Sequence, residues 1–145
     1  MKKADILLFI FLASVFSTCK KYPDGPCISL RSKRDRIRGE WEVQKYLIDG
    51  GDSTAAKYPI PCKYRITDKE HSLKFYSPCD TIEGRWEFTE NKTHIAIHLD
   101  KFMPLYLTWN MEWKIMKLTF KEMHLQTNFS SKEYNVYLIK TEIIK

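Results

Sequence analysis

From residue 39 to the C terminus, apolar and polar residues alternate with a period of two. That pattern belongs to strands with one buried face, and it excludes a helical body. In "GEWEVQKYLIDG", Trp41, Val43 and Leu47 fall on one face, with Glu40, Glu42 and Gln44 on the other. Asp49, Gly50 and Gly51 end that run. "TIEGRWEFTE" repeats it, with Ile82, Trp86 and Phe88 inward and Glu83, Arg85 and Glu87 outward. "KYRIT", "SLKFYS", "THIAIHL", "LYLTWNMEWKIMKL", "EMHLQTN" and "EYNVYLIKT" bring the expected number of strands to eight. Tight turns are expected at residues 68–70, 90–92 and 130–132, a break at 100–104, and a long polar loop over 50–61. Such a meander has two unpaired edges, and closing it into a barrel removes both. The expected fold is therefore an all-β, eight-stranded antiparallel up-and-down barrel over residues 37–145.

The N terminus sets the address. Lys2 and Lys3 precede the apolar run "ILLFIFLASVF" and then Ser17, Thr18 and Cys19, the layout of a signal peptide over residues 1–18. The run is too short to span a bilayer as a helix. Small residues directly before a cysteine resemble the lipobox of bacterial lipoproteins. The resemblance implies removal of the leader and acylation of Cys19, palmitate being a common acyl group. Several acyl chains hold a protein durably on a membrane. Residues 19–36 then form the lipidated cysteine and a tether, in which Pro23, Gly25 and Pro26 interrupt regular structure. Within it "RSKRDRIRG" is expected to be a solvated short helix or turn. Lys20 and Lys21 stand where surface-exported relatives carry acidic residues, so the expected place is the cell envelope, on the outer membrane and facing the periplasm.

Of 145 residues with a formal net charge of +6, the part after the leader has the size of one domain and enough length for a core. Export makes nucleic acid an unsuitable partner for this basic chain. An exported chain meets oxidising conditions. Cys62 and Cys79 lie at similar distances either side of the turn at 68–70, and a disulfide between them is expected. Pairings of Cys27 with either stay open, because connectivity is not written in spacing. His94 and His98 share a strand face, yet no third ligand is spaced to complete a metal site. No phosphate loop, zinc-protease motif, nucleophile elbow or paired carboxylates occur, so no catalytic residue, metal or cofactor is assigned and a non-enzymatic role is expected. Asp52-Ser53-Thr54 resembles the acceptor triplet of periplasmic O-glycosylation in Bacteroidetes, which makes Ser53 a candidate modification site.

"RGEWEVQ" and "EGRWEFT" share Gly-x-Trp-Glu-apolar, placing Gly39 with Trp41 and Gly84 with Trp86. Gly-x-Trp opening the first strand of an eight-stranded meander resembles the lipocalin signature. With the lipobox, "YLIDGGDST", "WKIMKLTFKEMHL" and "YNVYLIK", the chain resembles the lipocalin-like lipoproteins of Bacteroidetes over residues 37–141. The resemblance implies a structural role for both glycine–tryptophan pairs. It also implies a lumen for a small apolar ligand, though no ligand-contacting residue carries over from the family; the candidate lining residues are Trp41, Val43, Leu47, Phe75, Trp86, Phe88, Leu107, Trp113, Ile115, Met123, Leu125, Val136 and Leu138. The alternative is a barrel filled by these same side chains, since eight strands enclose a space of just that width. The protein then meets a protein or glycan partner through its rim loops at 50–61 and 100–104.

Overall fold

The computed structural model describes residues 22–24, 31–57, 62–77, 80–100 and 111–143. The strands, in order, are β1 (Gly39–Ile48), β2 (Gly51–Asp52), β3 (Lys63–Ile66), β4 (Ser72–Tyr76), β5 (Thr81–Thr89), β6 (His94–Leu99), β7 (Met111–Leu118), β8 (Glu122–Phe129) and β9 (Lys132–Glu142). Among the described residues two short α-helices accompany them, α1 (Lys33–Ile37) and α2 (Thr54–Lys57). β2 is a two-residue return on the end of β1. The other eight strands pair antiparallel in chain order, and β1 pairs with β9 to close the sheet. The up-and-down barrel read from the alternation is the fold.

Consecutive strands reverse direction, so their connections fall at two ends. One end, here the closed end, holds α1 and the turns at residues 67–71, 90–93 and 119–121. The open end holds residues 49–57, 77, 80 and 130–131. The turns use left-handed backbone where strand twist requires it. Asp49-Gly50 and Ser130-Ser131 have positive φ at both positions, the geometry of two-residue hairpin turns. At residues 90–92 all three residues are left-handed.

Two departures from simple alternation have physical causes. β1 shifts register between Val43 and Lys45 against β9. One extra residue at this bulge turns every later side chain to the opposite face, so Tyr46 is buried at 2% exposure and Leu47 is only partly buried. The same device between Ile115 and Lys117 in β7 sends Leu118 inward. The second departure is the basic stretch before β1. Ser32 caps α1 by accepting a hydrogen bond from the Asp35 amide, and the helix buries Arg36 and Ile37 instead of lying free in solvent. It is a plug on the closed end. The expected tether thus includes ordered, packed residues.

The strand expected from residue 105 is observed from Met111, and residues 101–110, including Leu107, lie outside the described residues. Cys19, Cys27 and Cys79 lie outside them as well, and no disulfide joins described residues. Cys62 is buried at the start of β3.

Candidate functional site

Three tryptophans organise the interior. Trp41 from β1, Trp86 from β5 and Trp113 from β7 are each no more than 1% exposed. Trp41 Nε1 donates to the Ile37 carbonyl at 2.7 Å and Trp86 Nε1 donates to the Thr67 carbonyl at 2.8 Å. Both motif indoles are therefore pinned to backbone at the closed end, which fits buried rings that carry one polar atom. The glycines two residues earlier serve backbone contact. A Cβ on Gly84 would lie 2.2 Å from the His98 carbonyl oxygen, and one on Gly39, where φ is +143°, would lie 2.7 Å from that of Glu142. Only glycine fits either place.

Of the expected lining residues that are described, all but Leu47 turn inward, and Leu107 lies outside the described residues. Phe75, Trp113, Ile115, Met123, Leu125, Val136 and Leu138 are each 2% exposed or less, and Val43 is buried. Phe88 packs partly buried against them, its ring edge-on to Trp86 at 5.3 Å. Side chains this inaccessible have no water-sized space against them. Over the levels these residues occupy, the barrel is packed as a core.

The closed end is sealed by groups that alternation does not reveal. Arg36 donates to the Leu118 carbonyl at 2.7 Å. Lys140, near the end of β9, donates to the Arg36 and Arg38 carbonyls, each at 2.6 Å, with its ammonium over the Trp41 and Phe120 rings. Burial, with the nearby positive charges of Arg31 and Arg38, lowers its pKa to about 8. Tyr22 is buried, donates to the Lys92 carbonyl, and has its pKa raised to about 12, chiefly by that burial. The Asp24 amide donates to the Met116 carbonyl at 3.0 Å, and its carboxylate lies 3.5 Å from His124 Nδ1. On the outer face, Glu40 is buried yet charged, held by Lys63 at 2.8 Å and Arg65 at 3.0 Å. The hydrogen bond from Lys63 is the first cause that keeps its carboxyl below the usual range.

His94 and His98 do not converge on a common ligand position. His94 Nδ1 is 2.9 Å from the Glu90 carboxylate, while His98 is exposed and stands opposite Arg85. Among the described residues no three His, Cys, Asp or Glu side chains come together. Ser53 lies half-buried at the open end, its amide donating to the Tyr46 carbonyl. Two of the clefts on the outer wall border residues named above. One, of about 470 Å³, lies between the turns at 67–71 and 90–93 and is bordered by Arg34, His71, Arg85 and Phe88. The other, of about 290 Å³, crosses β8, β9 and β1 beside His124, Tyr137 and Ile139. In it the His124 and Tyr137 rings stack at 4.1 Å.

No family model matches the chain, and no curated protein matches it. Among solved structures, a DUF4847 family protein from Bacteroides vulgatus superposes with a TM-score of 0.52 at 12% identity, covering 72% of this chain and 93% of that one. At that identity the likeness is one of fold.

Proposed function

We propose that this chain is a lipid-anchored, non-enzymatic protein of the cell envelope whose lipocalin-like barrel is filled and which works through its outer surface. The observation that carries this reading is the packed interior, in which Phe75, Trp86, Trp113, Ile115, Leu125 and Val136, all suited to line a ligand cavity, are each 1% exposed or less. A carrier needs a void of some hundreds of cubic ångströms. The apolar leader ending at Cys19 supports anchoring at the periplasmic face of the outer membrane. The open end, where residues 49–57 project, is the surface offered to a protein or glycan partner. A glycan on Ser53 would stand on that rim. The Cys62–Cys79 disulfide belongs to the same reading: Lys63 pairs with Tyr76, and carrying this ladder one step further sets Cys62 opposite Ser77, two residues from Cys79.

Native mass spectrometry of the protein extracted from its own host tests the filled barrel. The expected result is a mass equal to chain plus covalent additions, with no binding of a fluorescent lipid. A co-purifying apolar molecule would replace this reading with that of a carrier. Cys19→Ser is expected to move the protein from the membrane to the soluble fraction, and continued membrane association would remove the anchor.

A further inference from the structure

We infer that the barrel stands on its closed end, with the basic turns around α1 facing the anionic headgroups of the membrane and the open end pointing away from it. This rests on the proposed acylation of Cys19 and adds an orientation to it. The first observation is one of length. Only Lys20 and Lys21 separate Cys19 from Tyr22, so the two Cα atoms lie at most about 11 Å apart whatever path the chain takes. Tyr22 is buried on the closed end by its hydrogen bond to the Lys92 carbonyl, and Asp24 is tied to β7 by its amide. A lipid on Cys19 therefore holds this end of the barrel within one short step of the bilayer.

The second observation is charge, and it is independent of the first. Lys69, Lys92 and Lys121 are exposed, each on a different closed-end turn, and Arg34 projects from α1 beside them. No ion pair joins these three lysines to a described residue. Of the acids nearby, Asp35 pairs with Arg38, Asp68 with Arg34 and Glu122 with Lys117, while Glu90 lies beside His94 and Glu70 is exposed next to Lys69. Among the described residues the open end is the more acidic, with Asp49, Asp52, Asp80 and Asp100 on its connections against Lys57 and Lys132. An anionic surface attracts the first end and repels the second. Anchor position and field thus select one pose, in which the surface proposed for partners is the one left in the aqueous space.

Lysine footprinting of the full acylated chain tests this with native residues. The protein is placed in vesicles of phosphatidylcholine with phosphatidylglycerol, in vesicles of phosphatidylcholine alone, and in detergent, then treated with an impermeant amine reagent and mapped by mass spectrometry. In the anionic vesicles, Lys69, Lys92 and Lys121 are expected to react about five-fold more slowly than in detergent, the factor for one lysine held at an anionic surface. Lys57 and Lys132 at the open end are expected to be unchanged, and shielding in neutral vesicles to be weaker. Equal labelling of both ends in an acylated chain would overturn the pose, and equal shielding in neutral and anionic vesicles would overturn the electrostatic contact, each while leaving the anchor intact. An N-terminal peptide without acyl chains would instead remove the anchor and the pose with it. Lys69→Glu combined with Lys92→Glu provides a second check. It is expected to restore labelling of Lys121, and a Lys121 still shielded in that variant would count against the electrostatic contact.

Discussion

Gly84 explains at the scale of one residue why the sequence repeats Gly-x-Trp. The carbonyl of His98 and the Cα of Leu99 occupy the space a methyl group would need, and both belong to the paired β6, which cannot retreat without breaking the ladder. Gly84→Ala is expected to lower stability by about 2–4 kcal/mol, read as a reduced urea midpoint with unchanged slope; a change below 0.5 kcal/mol would show that the ladder yields. This requirement was legible through the repeated Gly-x-Trp, whose resemblance to the lipocalin signature implied a structural role for both glycines. Glu40 was not legible. It falls on the polar face of β1, and its burial comes from Lys63 and Arg65, neighbours that only the register Glu40↔Arg65 and Glu42↔Lys63 supplies. Glu40→Gln leaves Lys63 and Arg65 without their nearest counter-charge, with Arg65 keeping only Glu142 at 3.9 Å. It is expected to cost about 1–2 kcal/mol in denaturant titrations at neutral pH, and no loss would mean that solvent already screens the pair.

Elements show where period-two reading stops being sufficient. Strand number, strand order and most inward residues follow from alternation. A bulge inserts one residue without any mark in composition, however, so the face assignment of β1 holds through Val43 and inverts by Tyr46. The two sites separate the readings. Tyr46→Ala removes a ring that packs near Tyr134 and shares its strand end with the Thr54 hydroxyl, and is expected to cost about 3–5 kcal/mol. Leu47→Ala is expected to cost less than about 1.5 kcal/mol. The reverse order in thermal or urea unfolding would place Leu47 in the core. α1 was illegible for a different reason. Five residues show too little periodicity to reveal a buried face, and its four charged side chains hide Ile37 as the single apolar contact. What makes it a plug is the company of Trp41, Leu118 and Lys140, each distant in sequence or on another element.

Over the whole molecule, the closed end joins the first and last strands, so its titrating groups report on folding itself. Lys140 has its pKa lowered to about 8 from 10.5. Between those values the unfolded chain holds a proton that the folded chain has released, so raising the pH favours the folded state. Its contribution is present above the unfolded pKa and lost as pH falls through about 8. Tyr22 has the opposite sign. Its pKa is raised from 10.0 to about 12, so its contribution is complete below pH 10 and lost as pH rises toward 12. Stability is therefore expected to rise from about pH 8 to 10 and to fall beyond it. The Lys140 part of the rise should amount to about 1–2 kcal/mol, less than the full shift because Lys140 is only partly buried and solvent screens it. Lys63 and Lys74, whose pKa values are raised chiefly by hydrogen bonds to Glu40 and Glu83, add to the fall at high pH. Chemical denaturation of the wild type and of Lys140→Met across this range isolates the closed end. The variant should lose the rise between pH 8 and 10 and keep the later fall, whereas Tyr22→Phe should keep the rise and soften the fall. Parallel curves for the wild type and Lys140→Met would mean that the carbonyls of Arg36 and Arg38 and the two ring faces hold Lys140 charged throughout, and that the plug is fixed by an ammonium that never titrates within the range of folding.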